Sequence, residues 1–281
     1  MNQIIKKLKL YLPFSKAGIK GVLVYKAQIF MWIFISFVDV FFVVFLYQAI
    51  YRNSENGINS VINGFTFYEM VLYMVTSFVF SFVINGSDTT WNIFDDVKEG
   101  TIVNTLTKPV SYRAKHLFTY LGSLFFQFLI IVLPLLVIIY TVFIVAGLVE
   151  LNLVLLIPNV LIFLLLTFIA GLINDAINYF VGLMTFYTQH IFGVNLFKSA
   201  VQGFLSGTLL PLSYMGTFGI ICSYTPFAFL NSTPVLTLLG KYPISSSLVY
   251  ILIAFCWWLL LELINKLIFN HCIKKLVVQG G

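Results

Sequence analysis

Long uninterrupted runs of apolar residues constrain this chain more than any other feature. A helix rises 1.5 Å per residue and the hydrocarbon core of a bilayer is about 30 Å thick, so roughly 20 apolar residues suffice to cross it. The runs lie approximately at 28–50, 66–86, 115–146, 152–187, 191–212 and 244–269. The whole chain is 60% hydrophobic and only 9% charged, whereas a soluble domain is about 25% charged. The sequence predicts an all-α membrane protein with six transmembrane helices in one domain, 1–281.

Prolines interrupt two of these regions in different ways. Pro134 lies inside the third run, where we expect a kink rather than an end, because membrane helices tolerate proline. The stretch 211–243 is apolar but carries four prolines, so no continuous crossing helix fits between them. This pattern predicts a re-entrant helical hairpin between spans five and six, over about 213–242, provided that protein covers its free backbone groups.

The N-terminal segment 1–27 combines lysines with apolar residues. Six lysines precede residue 27, and no acid occurs before Asp39. This pattern is typical of an amphipathic helix lying at the membrane surface, here over about 4–24. Pro13 is expected to break or kink that helix.

The placement of basic residues predicts the orientation of the chain. Cytoplasmic loops carry an excess of lysine and arginine. With the N-terminus inside, fourteen of the sixteen basic residues fall on the cytoplasmic side, and only Arg52 and Lys241 fall outside. Both termini and the segment 94–113 are therefore predicted to be cytoplasmic. The net charge of +6 then follows from topology and from attraction to anionic membrane lipids, with no nucleic-acid partner.

Motifs that carry catalysis or metal binding are missing from the sequence. There is no G-x-x-x-x-G-K-[ST] phosphate loop, no HExxH and no GxSxG. The three cysteines and three histidines are scattered, which favours neither a disulfide framework nor a zinc site. We expect no catalytic residue, no metal and no bound cofactor in this chain, which is predicted not to be an enzyme.

Asp39, Asp175 and Glu262 lie well inside apolar runs, where a charge is costly and points to function by default. Asp39 and Asp175, with Asn174, are candidates for a polar translocation path. The alternatives are a structural hydrogen bond for Asp39 and a position near the cytoplasmic helix end for Asp175. Glu262 precedes Lys266 by four residues, the spacing of a pair on one helix face.

The segment 94–113 is a charged island between apolar runs. Apolar residues alternate with charged ones at helical spacing, and Gly100 and Pro109 are expected to interrupt and stop the helix. A solvated connection would need only a few polar residues, and the mixed charge does not suit anionic lipid alone. The pattern favours a protein partner. The candidate docking residues are Trp91, Phe94, Asp95, Asp96, Val97, Lys98, Glu99, Ile102 and Leu106.

These features together resemble the permease subunits of type-2 ATP-binding-cassette (ABC-2) exporters. One bacterial subfamily is similar in three stretches: DDVKEGTIVNTLTKPVSYR at 95–113, FLSGTLLPLSYM at 204–215 and KKLVVQGG at 274–281. The resemblance implies a second permease chain, identical or not, and separate ATPase subunits that carry ATP and Mg²⁺. It also implies that 91–106 is the coupling helix seated on the ATPase, that the N-terminal helix lies beside it, and that 213–242 forms the outer gate.

The resemblance implies export of a substrate across the bacterial cytoplasmic membrane by alternating access. The mostly apolar pathway favours an amphipathic or hydrophobic substrate. Two other readings of the residues remain open. One is an ion-coupled secondary transporter that uses Asp39 or Asp175. The other is a membrane enzyme or a purely structural scaffold.

Overall fold

The computed structural model describes residues 2–24, 26–86, 89–148, 153–188 and 190–275, and within these ranges the chain is helical apart from its turns. A single isolated β-bridge there joins Ile62 and Phe65. The predicted all-α class is confirmed. The α-helices are α1 Asn2–Val24, α2 Lys26–Arg52, α3 Phe67–Asn85, α4 Thr89–Lys98, α5 Val103–Leu106, α6 Tyr112–Gln127, α7 Leu133–Val145, α8 Leu153–Leu183, α9 Phe192–Leu205, α10 Gly216–Ser223, α11 Ser232–Leu238 and α12 Ile244–Cys272.

Four helical stretches in the described ranges are long and apolar enough to cross a membrane. They are Ile33–Arg52, Tyr112–Val145, Leu155–Phe186 and Ile244–Cys272. They coincide with the first, third, fourth and sixth predicted spans. The second coincides with the shorter apolar helix α3.

The prediction of one long helix over 191–212 is wrong. Helix α9 has 14 residues, which is about 21 Å and shorter than the hydrocarbon core. It ends at Leu205 because the chain turns at Gly207, whose φ of 78° lies in the left-handed region that favours glycine.

Pro134 and Pro13 lie within helical stretches without ending them. A π-helical turn, Phe128–Val132, joins α6 to α7 just before Pro134. Since Pro134 has no N–H to donate to the preceding turn, the widened turn accommodates the missing hydrogen bond. Helix α1 likewise continues through Pro13, so the predicted break there does not occur.

Helices α1 and α6 approach each other closely at two glycines. A Cβ atom built on Gly18 would lie 2.0 Å from the Thr119 carbonyl oxygen, and one on Gly122 would lie 2.0 Å from that of Ser15. The Ser15 hydroxyl also donates a 2.9 Å hydrogen bond to the backbone of α6 at Phe118. The amphipathic N-terminal helix is therefore fixed to the start of the third span by close backbone contact.

Helix α8 is the central element of the bundle. More than half of the most apolar part of its Leu155–Phe186 stretch is buried, whereas almost none of that of Ile33–Arg52 is. Helices α4, α11 and α12 pack around it. Helix α2 instead contacts mainly α3 and leaves its phenylalanines exposed, as expected of a surface that faces lipid or another chain.

The stretch 213–242 folds into short helices, as the prolines predict. All seven residues of α11 are buried, and the segment is bonded to its neighbours. The Asn231 amide donates to the Ser77 hydroxyl at 3.0 Å, and the Ser232 N–H donates to the Ser206 carbonyl at 2.9 Å. Protein therefore covers its polar groups at this point, which is the condition for irregular backbone at membrane depth.

Candidate coupling element and translocation cavity

Helices α4 and α5 form one amphipathic unit, which we call the α4–α5 segment (residues 89–106). Gly100 separates the two helices with a φ of 71°, so the interruption predicted at this glycine occurs. Trp91 is 37% exposed and Leu106 is 39% exposed, and between them Asp95, Lys98 and Glu99 are also exposed. These side chains form a mixed apolar and charged outer face that no other described part of the chain covers.

The inner face of the α4–α5 segment is anchored in the bundle. Ile93 and Ile102 are both 0% exposed and pack with Tyr179 and Leu183 of α8 and with Cys272 at the end of α12. Of the candidate docking residues, Ile102 therefore holds the segment in place. Phe94 and Val97 are half-buried at the boundary between the two faces.

Asp96 also belongs to the inner face. Its carboxylate accepts hydrogen bonds from Lys115 at 2.9 Å, from the Tyr112 hydroxyl at 3.0 Å and from Thr101 at 3.0 Å, and His116 Nε2 lies 3.6 Å away. Burial alone would raise the pKa of this carboxyl, but His116, Lys115 and Thr101 hold its pKa below the ordinary value.

Asp96 was predicted to dock on a partner together with Asp95 and Glu99, but its position in the helix separates it from them. Asp96 follows Ile93 by three residues, so the two share a helix face. Asp95 lies on the opposite side and is exposed. The inner face of the segment thus carries one acid whose partners are internal.

Arg113, at the start of α6, connects three helices. Its guanidinium donates to Asp175 of α8 at 2.6 Å and, through Nε, to both carboxylate oxygens of Glu262 of α12 at 3.2 and 3.1 Å. It also lies 4.6 Å from the centre of the Tyr179 ring. Asp175 is 0% exposed, so Arg113 is the countercharge that makes its burial tolerable.

This cluster corrects two of the alternatives left open for the membrane acids. Asp175 does not lie in an exposed position near a helix end. Glu262 does not pair with Lys266 of its own helix. Each meets Arg113 instead, because the helix faces that touch in the bundle bring together residues 62 and 149 positions apart.

Asp175 links α8 to the α4–α5 segment, and Asn174 links α8 to α3 and α9. The Thr89 hydroxyl donates to Asp175 at 2.6 Å. The Asn174 amide donates to the Ile84 carbonyl of α3 at 2.7 Å and accepts from Gln202 of α9 at 3.3 Å. Both residues predicted for the translocation path are thus occupied in contacts between helices.

A cavity of about 810 Å³ lies between α1, α2, α3, α4 and α6, and it contains the third predicted path residue, Asp39. Its walls mix hydroxyl and amide side chains with aromatic ones. Neither Asn174 nor Asp175 is among the described residues that line it. In the described ranges no group of three His, Cys, Asp or Glu side chains is arranged to hold a metal ion.

Long apolar helices around a buried central span define a multi-pass α-helical membrane protein. A sequence model for the ABC-2 family transporter proteins matches residues 37–280. Since this range covers most of the chain, the protein belongs to the ABC-2 transporter family, whose permeases work with an ATPase. Comparison with curated proteins and with solved structures finds no match.

Proposed function

We propose that this chain is one permease of an ABC exporter that moves an amphipathic or hydrophobic substrate outward across the bacterial cytoplasmic membrane. Two permease chains, identical or different, would pair and alternate between inward-facing and outward-releasing states. ATP and Mg²⁺ would be bound by separate ATPase subunits. Both termini would lie in the cytoplasm. Helix α3, and α9 together with the turns that follow it up to residue 212, would complete the crossings beside the four long helices, because α9 alone is too short.

The observation that carries this proposal is the two-faced α4–α5 segment. Its outer face offers Trp91, Asp95, Lys98 and Glu99 to a partner, while its inner face is buried. A helix that merely connects two spans does not require both features. Mixed charge around an exposed aromatic residue suits a groove on another protein, where polar rim groups give specificity and the aromatic residue supplies contact area.

The contacts of the segment provide a route for force into the membrane. Displacement of α4 acts directly on α8, because the Ile93 side chain packs against Gly182 of α8. The contact is so close that a Cβ atom on Gly182 would not fit. It also acts through Thr89 on Asp175, and from there through Arg113 on α12. Packed side chains of this kind transmit displacement because protein interiors are dense. ATPase movement would in this way reach the long helices α8 and α12.

The short helices α10 and α11 are proposed as the outer gate. They lie in the chain between α9 and α12, on the side that we place outside. Lys241 closes the base of this unit with a 2.8 Å ion pair to Glu69 of α3 and a 2.9 Å hydrogen bond to the Gly64 carbonyl. These contacts and the Asn231–Ser77 hydrogen bond hold the unit against α3, so opening of the gate would have to break them.

The test is charge reversal on the outer face alone, Asp95→Lys with Glu99→Lys. Asp96 is left intact because its bonds are internal. We expect ATPase copurification from native membranes to fall at least about tenfold, since like-charge contacts at an interface cost several kcal/mol. The control is Glu55→Lys, which reverses an exposed acid in the loop between α2 and α3.

The result must appear with unchanged permease level and unchanged elution in gel filtration. Equal ATPase recovery from wild type and the double variant would overturn the docking assignment. Transport that persists without ATP and is lost on Asp39→Asn would instead identify an ion-coupled carrier.

A further inference from the structure

We propose that the cavity around Asp39 is a binding site for lipophilic cations within a single permease chain. This inference rests on the proposed transport function and specifies the class of its substrate. The supporting observations are the size and lining of the cavity, the position of Asp39 within a long apolar helix and the absence of an ion pair between Asp39 and any described residue.

The cavity has the dimensions and surface of a small-molecule site. Its volume of about 810 Å³ lies within the roughly 300–1,000 Å³ typical of ligand pockets, which are largely apolar with a few placed polar groups. Phe78 and Phe82 contribute aromatic surface, while Ser36 and Gln127 contribute hydrogen-bonding groups. Aromatic faces attract cations as well as apolar groups.

The charge of the cavity is negative. Asp39 is the single carboxylate among its described lining residues, and no lysine or arginine is among them. An anionic ligand would therefore meet a like charge in a region of low dielectric constant, while a cationic ligand would meet an opposite one.

Asp39 lies in the middle of α2, and its side chain is exposed. It stands thirteen residues from Arg52 at the end of α2, which is about 20 Å along the helix. A charge within a helix that crosses the membrane is costly in lipid unless water or a cation accompanies it.

The other acids within the described apolar helices are all paired with a base. Asp175 and Glu262 bind Arg113, and Glu69 binds Lys241. Asp39 forms no ion pair with any residue that the structure describes. A cationic ligand would supply the missing countercharge, as Arg113 does for Asp175.

Gly21 offers a second and independent way to block the site. It lines the cavity, and a Cβ atom built on it would meet nothing within 4 Å. A leucine at this position would extend into the open space without displacing α6. Gly21→Leu therefore removes volume from the site, while Asp39→Asn removes charge and leaves the shape unchanged.

The experiment measures binding of the lipophilic cation tetraphenylphosphonium to the purified detergent-solubilised protein by equilibrium dialysis, with empty micelles subtracted. We expect Asp39→Asn to raise Kd at least about tenfold, because the carboxylate attracts the cation and the amide does not. Gly21→Leu should raise it by a similar factor. Glu55→Gln, which removes an exposed loop acid, should leave Kd unchanged. The neutral analogue triphenylphosphine oxide should bind wild type and Asp39→Asn equally.

Equal cation binding by wild type and Asp39→Asn would overturn the inference, as would equal losses for the cation and the neutral analogue. The outcome is separable from that of the proposed function. If the ATPase copurifies but Asp39→Asn binds the cation as tightly as wild type does, the cation site is refuted and the proposed exporter function stands. If cation binding depends on Asp39 but no ATPase copurifies, the cation site is supported and the proposed exporter function is refuted.

Discussion

Substitution of Arg113 by alanine removes the only base that touches the buried Asp175 carboxylate in the described structure. Asp175 is 0% exposed, whereas the Arg113 and Glu262 side chains are 17% and 23% exposed. Breaking a buried pair by removing one partner costs about 3–5 kcal/mol, because an uncompensated charge remains. For a chain of this size each kcal/mol shifts the unfolding temperature by roughly 2–4 °C. We therefore expect Arg113→Ala to unfold roughly 6–20 °C below wild type.

The assay is thermal unfolding of the detergent-solubilised protein, with all variants heated at one scan rate because membrane proteins unfold irreversibly. Lys266→Ala is the matched control. It removes an exposed base four residues after Glu262 and should change stability by less than about 0.5 kcal/mol. Arg113→Ala with Asp175→Asn should lose less than Arg113→Ala alone, since no buried charge is left unpaired. A larger loss for Lys266→Ala than for Arg113→Ala would refute the reasoning.

Three further outcomes follow from the contacts of the chain. Gly18→Ala should detach α1 from α6 and expose it to limited proteolysis, whereas Gly21→Ala, with open space around its Cβ, should not. The carboxylate of Asp96 stabilises the fold at pH values above its ordinary pKa of 3.8, and this contribution is lost as the pH falls toward the lowered pKa of the folded state. The difference in unfolding temperature between wild type and Asp96→Asn should therefore be present at pH 7 and shrink below about pH 4. Lys241→Ala, which removes the bond to the Gly64 carbonyl and the ion pair to Glu69, should lower stability by no more than about 1 kcal/mol in the same thermal unfolding assay.

The sequence was informative wherever a local rule decides the outcome. Hydropathy over 20 residues located the long helices, since each must match the bilayer by itself. The break at Gly100 and the short helices of 213–242 follow from glycine and proline chemistry within a few residues. The sequence predicts α9 to be longer than it is, because apolar residues continue past Gly207, where the backbone already turns.

The sequence was less informative about which side chains meet. Glu262 pairs with Arg113 and not with Lys266, which is nearer in the sequence. Asp175 is buried although its own helix contains no base, because Arg113 of α6 supplies one. Asp96 separates from Asp95 only once the inner face of α4 is known. These assignments depend on how helices face one another, which helical spacing along a single element does not specify.

By itself, the sequence determined an all-helical membrane protein of the ABC-2 transporter family with an amphipathic α4–α5 segment between two apolar helices. The physical reason is that burial in lipid and backbone hydrogen bonding act on each segment independently. Only the tertiary structure decided that Arg113 joins three helices and that Asp39 lines a cavity whose described walls carry no lysine or arginine. Both depend on packing between elements distant in the chain, where the low dielectric constant makes the presence or absence of a countercharge decisive.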